Sequence, residues 1–274
     1  MDVEWQNLKA QDLRKLAEQN AVVVIPIASI EQHGPHLPVM TDTRLGHEIA
    51  TRAARKAQKT RPTVVTPVVW MGLSEHHMPF GGTLIVSHST FRAILRDLIT
   101  SVMRHGFRDI LISNSHGGNI IAMQQIADEL SPELGATIVT TTYVTEGGEA
   151  FASLMDDQPN VMHACEGETS MVMAVEPDLV DTRDLASLRS MNQGASGFLK
   201  AGHASYRWRP FAHVTGNGIA GDPTNATVEK GEALLEAGSD AVAALIADPA
   251  TWAAPQDLRD DALAGVAFRD RKQA

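Results

Sequence analysis

The chain has a single cysteine, Cys165, among 274 residues, so no intramolecular disulfide can form and a reducing compartment is expected. It also lacks any run of Lys and Arg: 23 basic residues face 33 acidic ones, for a formal charge of −10. Nucleic acid is therefore not an expected partner, because such binding needs clustered cations that release phosphate counterions. No window approaches the roughly 18 apolar residues of a membrane span. Residues Met1 to Trp5 do not pass from a basic segment into an apolar one, so secretion is not expected either. Cytoplasmic localisation and a small-molecule substrate are the expectations left.

What is present is ordinary for a globular protein, with 43% hydrophobic and 20% charged residues. Val22 to Ile27 is a β-branched run that suits a strand buried on both faces. Val64 to Trp70 and Asp109 to Ser113 resemble it, and Ala136 to Tyr143 is a Thr-rich version. Between these runs lie helical periods: Leu45, Ile49 and Ala53 after a start near Thr41 to Thr43, and Phe91, Ile94, Leu95, Leu98, Ile99, Val102 and Met103 after Ser89. Asp222-Pro223 reads as an N-cap and first helical residue of a segment running to about Ala247. The alternation predicts an α/β fold with a parallel sheet between helices. Residues 1–250 read as one domain and 251–274 as a peripheral tail without a strong period.

The chemistry gathers after the strands. Glu31, His33, His36 and Asp42 fall within twelve residues just beyond the first strand. Neutral imidazoles and carboxylates are the ligands of zinc, manganese and iron, and the intervening Gly34 and Pro35 bend the backbone so that side chains converge. Ser115-His116-Gly117-Gly118-Asn119 follows the strand at Asp109 to Ser113, and strand ends of an open sheet share one crevice. This loop lacks the lysine and spacing of a P-loop and lacks a GxGxxG fingerprint. His163 and Glu168 stand five residues apart before the apolar run Met171 to Val175. His76 and His77 follow another strand; adjacent loop side chains diverge, so supporting or substrate-lining roles suit them better than direct ligation. Cys165 is close to His163, but a nucleophile and its base usually come from distant sequence.

Pro26 to Asp42 (PIASIEQHGPHLPVMTD), Phe80-Gly81-Gly82-Thr83, Ser113 to Asn119 (NSHGGN after Ser113), His163 to Ser170 (HACEGETS) and Gly221-Asp222-Pro223 together resemble the creatininase family. The resemblance implies a three-layer α/β/α sandwich with a mainly parallel sheet, two divalent metal ions (Zn, Mn or Fe) per subunit, hydrolysis of an amide-type C–N bond, often in a cyclic substrate, and assembly into a homo-oligomer, commonly a hexamer. Carried over by position, Glu31, Asp42 and His116 correspond to ligands of one metal, and His33 and Asp42 to ligands of the other, with Asp42 bridging. His163 and Glu168 correspond to catalytic residues. Ser74 falls near a substrate-contacting serine, and Gly117 and Gly118 are further candidate substrate contacts. Creatinine-cleaving members carry a carboxylate where this chain has Gly118, so Glu168 is the candidate replacement ligand, with Glu166 or water behind it. Members sharing the HGGN form include formylamide deformylases and a peptidase of cofactor maturation.

The expected chemistry is attack by a hydroxide held between two cations, with His163 protonating the leaving nitrogen. Two other classes stay open at this point. One is a metal-binding or assembly protein without catalysis, distinguished by bound metal and no turnover. The other is a metal-dependent isomerase or lactonase, distinguished by its products.

Overall fold

The computed structural model describes residues 2–156, 158, 160–188, 206–263 and 265. Four strands, β1 (Val22–Ile27), β2 (Thr63–Val65), β3 (Asp109–Asn114) and β4 (Thr137–Thr142), form one parallel sheet in the order β2-β1-β3-β4. Val22 pairs with Thr63 and Asp109 across the central strand, and Asp109 with Thr137. The run expected from Val64 to Trp70 is shorter than its composition suggests. The paired strand ends at Val65, although Thr66 N–H still donates to Val24 O at 2.9 Å. Pro67 has no N–H to donate, and the chain meets β1 again at Val69 opposite Ile27.

Side chains alternate across β1, which explains its continuous apolar character. Val22 and Val24 enter one core with Leu45, Ile49, Leu111, Met171, Leu234 and Val242. Val23, Ile25 and Ile27 enter the other with Phe91, Leu95, Ile99, Ile112 and Ile126. Helices α1 (Ala10–Glu18), α3 (His88–Arg104) and α4 (Ile120–Leu134) thus cover one face. On the other lie α2 (Thr41–Ala57), the short α5 (Tyr143–Glu146) and α6 (Gly148–Leu154), α7 (Glu166–Val175) and α8 (Val228–Ala247). The three-layer α/β/α sandwich is the architecture that both the alternation and the resemblance implied.

Two boundaries differ from expectation. Asp222 does not cap α8: its Oδ1 accepts from Thr224 N–H at 2.9 Å and closes a turn, while Thr227 caps the helix by accepting from Lys230 N–H at 3.1 Å. An Asp-Pro pair serves a turn as readily as a helix start. Trp252, assigned to the tail, is buried in the α2/α8 core; its Nε1–H donates to Ile246 O at 3.0 Å, so the packed region extends past residue 250.

Candidate metal centre

β1 and β3 are neighbours running the same way, so the loops leaving them emerge side by side. α2 then delivers Asp42 from its first turn. Ser115 Oγ–H lies 2.8 Å from the Asp42 carbonyl and 3.2 Å from the Ile27 carbonyl, tying α2 to both strand ends. One turn on, a Cβ at Gly46 would come within 2.6 Å of Ser115 Oγ, and glycine is what lets the helix approach this closely. Asn114 braces the next residue, its Oδ1 accepting from His116 N–H and its Nδ2 donating to the His116 carbonyl. Thr83, from the Phe80 to Thr83 motif, accepts from Gln32 N–H at 3.2 Å and steadies the first loop.

These contacts bring together two sets of three ligand atoms, each set mutually within 4.8 Å: Glu31, Asp42 and His116, and His33, Asp42 and Glu168. His116 Nδ1 is 3.1 Å from Glu31 Oε2 and 3.2 Å from Asp42 Oδ2. His33 Nε2 is 3.3 Å from Asp42 Oδ1 and 3.6 Å from Glu168 Oε2. Asp42 therefore turns one oxygen toward each set. His33 donates its Nδ1–H to the Glu31 carbonyl at 3.1 Å, which leaves Nε2 as the ligating atom. Buried Glu31 Oε2, His33 Nε2 and Asp42 Oδ2 have no hydrogen-bond partner. Burying such atoms unbonded is costly, and coordination to cations is what satisfies them. The residues fit a pair of divalent metals that accept nitrogen and oxygen donors.

The charges follow the same geometry. Burial opposes an imidazolium at His33, but Asp42 and Glu168 override it and raise the ring to about 10. At His116, burial is likewise outweighed by Glu31 and Asp42, and the ring rises well above its usual range. Burial opposes the Glu31 carboxylate, yet the His116 imidazolium holds it well below normal. Glu168 moves upward, because burial and the Asp42 charge exceed the pull of His33. His163 shifts well downward through burial and then through His33 and His77, so it is a neutral base. Cations bound at the two sets would compete with protons for the His33 and His116 nitrogens, so metal affinity is expected to fall as pH is lowered.

His163 sits at the rim, 10% exposed, with its ring 4.9 Å from that of Phe211 in an edge-on arrangement. Its Nδ1 is 3.5 Å from Glu31 Oε1, and Glu31, His33 and His163 form a third convergent set. Gly117 and Gly118 are exposed on the same rim. A Cβ at Gly118 would lie 2.4 Å from His116 Nε2 and 2.5 Å from the Leu73 carbonyl, so a carboxylate side chain there has no room. Ser74 departs from its expected substrate contact. It is wholly buried behind His116, 3.0 Å from Nε2, and hydrogen-bonds onward to Ser29, so it holds the His116 imidazole in place. Glu166 points away from the centre to Lys230 and the Asp156 N–H, which removes it as the reserve ligand. Burial and the Glu168 charge push the Cys165 thiol up to about 12, and its sulfur accepts from Met162 N–H, so a nucleophilic role does not survive.

Gln32 was the least visible in sequence, whereas His77 takes the supporting place that its sequence context favoured. His77 Nε2 is 3.3 Å from Glu31 Oε1, and burial drives its ring down to about 2. An amide between Glu31 and His33 carries no ligand signal of its own, and Gln32 was given no role from the sequence; its position inside the motif is the one signal that could have found it. From the sequence, residues 70–77, 143–151 and 194–211 are expected to line the substrate pocket; of these, residues 194–205 lie outside the described residues.

A parallel α/β/α sandwich with a buried imidazole and carboxylate cluster at its strand ends fits a metal-binding enzyme. Residues 6–246 match the creatininase family, described as creatinine amidohydrolase, and the chain belongs to that family. It is 31% identical over 224 residues to the mycofactocin precursor peptide peptidase of Mycolicibacterium smegmatis, covering 81% of this chain and 83% of that one. It is 28% identical to the 3-dehydro-scyllo-inosose hydrolase of Thermotoga maritima, covering 90% and 83%. A manganese creatininase structure shares the fold with a TM-score of 0.74 at 23% identity, covering 90% of this chain and 98% of that one.

Proposed function

We propose that this creatininase-family hydrolase uses two divalent cations to cleave an amide-type C–N bond, with a cyclic amide as its substrate class. The observation that carries the reading is the pair of ligand sets sharing Asp42, with neutral His163 beside them. Glu31, Asp42 and His116 would hold one cation, and His33, Asp42 and Glu168 the other. When bound, they supply Lewis acidity and a water whose pKa falls toward about 7. The Nε2–H of His163 donates to the Gln32 carbonyl at 2.8 Å, so Nδ1, 3.5 Å from Glu31 Oε1, carries a lone pair that can take the proton released by the attacking water and pass it to the leaving nitrogen. An amide nitrogen leaves poorly until protonated, which makes that transfer decisive. Phe80 and Met162 pack against Phe211, whose ring lies beside those of His77 and His163 and gives the centre an apolar wall.

Peptide-bond cleavage is the second reading, favoured by the 31% identity to a precursor peptide peptidase. Metal analysis beside a screen of lactams, cyclic ureides, formamides and peptides separates the two. Asp42→Ala is expected to lose metal and turnover together, whereas His163→Ala keeps its metal and loses about 10²- to 10⁴-fold in kcat. Full metal content and activity in Asp42→Ala would overturn the assignment.

A further inference from the structure

Gln32 lies between the ligands Glu31 and His33 and is buried among three polar partners. The orientation of its amide is settled by Gly34, whose backbone N–H can only donate and reaches Gln32 Oε1 at 3.0 Å. Nε2 therefore takes the other branch, 2.7 Å from His77 Nδ1 and 3.2 Å from the Gly218 carbonyl. An amide nitrogen donates and does not accept, so His77 Nδ1 is bare and the ring proton sits on Nε2. That Nε2–H faces Glu31 Oε1 at 3.3 Å, while the other carboxylate oxygen, Oε2, faces His116. Gly218 has a φ of +80°, and a Cβ there would approach Gln32 Oε1 to 2.0 Å, so glycine leaves the amide its space.

The main chain of the same residue acts on a second ring. A carbonyl only accepts, so the 2.8 Å contact from His163 Nε2 to Gln32 O places the proton on Nε2 and the lone pair on Nδ1. The 3.1 Å approach of Gln32 Nε2 to His163 Nε2 adds no bond, because both nitrogens carry protons.

We propose that Gln32 is a positioning residue that sets the tautomers of two histidines at once. Its amide, through His77, holds Glu31 with Oε2 toward the metal centre, and its carbonyl makes Nδ1 the working atom of His163. The role of His163 rests on the hydrolase reading above; the role of His77 does not. The test is ¹⁵N NMR of the histidine rings in metal-free protein, with zinc titration of wild type and variants. Wild-type His77 is expected to be protonated on Nε2. Gln32→Glu keeps the acceptor for Gly34 but removes the donor, so His77 should become protonated on Nδ1 and zinc affinity should fall about 10- to 100-fold. His77→Gln, which can accept from Gln32 and donate to Glu31, should retain zinc affinity that His77→Leu loses. Wild-type His77 protonated on Nδ1, or unchanged zinc affinity in Gln32→Glu, overturns the proposal. Wild-type protein that shows the Nε2–H pattern and binds zinc, yet hydrolyses no amide, upholds the His77 role and overturns the hydrolase reading alone.

Discussion

Gly118 and Glu168 explain each other at the level of single residues. The space that a side chain at 118 would need is filled by His116 and the Leu73 carbonyl, and Glu168 reaches the same centre from α7. Gly118→Glu is therefore expected to lower zinc affinity rather than add a ligand, because its Cβ presses on His116; a zinc titration showing tighter binding would mean that the loop yields. The Cys165 thiol, held up at about 12 by burial first and the Glu168 charge second, should resist iodoacetamide at pH 8 in the folded protein and react after unfolding, as mass spectrometry would show. The ligand types were legible in the sequence because Glu31, His33 and Asp42 crowd into one loop. The roles of Ser74 and Gln32 were not, since a serine and an amide acquire them only from the side chain they stand behind.

Among the elements, α2 and α7 carry the centre and α8 holds them. Gly46 allows α2 to rest on Ser115, so Gly46→Leu should push the helix outward, move Asp42 and weaken zinc binding, with a lower unfolding temperature as the accompanying sign. α7 is pinned to α8 by Lys230, which pairs with buried Glu166 and lies 2.7 Å from Asp156. Burial works against the lysine charge, but the two carboxylates outweigh it and raise its pKa above the usual 10.5. Its contribution is thus complete below pH of about 10 and lost as pH climbs through the raised value. Lys230→Met leaves the Glu166 carboxylate without its lysine and should cost about 3 kcal/mol in urea denaturation at pH 7. That deficit should shrink in strongly alkaline buffer. Strand and helix identities were readable from apolar periodicity, whereas the start of α8 was not, because Asp222-Pro223 satisfies the local rules for a turn equally well.

On the scale of the whole molecule, the proposed cations join loops from β1 and β3 to α2 and α7, so they bind the folded chain far better than the unfolded one. Chelation should lower the unfolding temperature and added zinc should restore it, which scanning calorimetry would read directly. The family expectation of a hexamer is a further proposal for this chain. Light scattering is expected to give a hexamer mass, and a monomer at micromolar concentration would count against it. No described helix is long and apolar enough to cross a membrane. By itself the sequence determined the parallel α/β layering and the ligand chemistry, because burial periodicity and donor type are local properties of a chain. Only the tertiary structure decided that Glu168 rather than Glu166 joins His33 and Asp42, that Ser74 backs His116, and that Gln32 faces two imidazoles. Those choices depend on how closely segments separated by 40 to 190 residues approach, and that distance is set by glycines such as 46 and 218 and by the packing of α2, α7 and α8 around them.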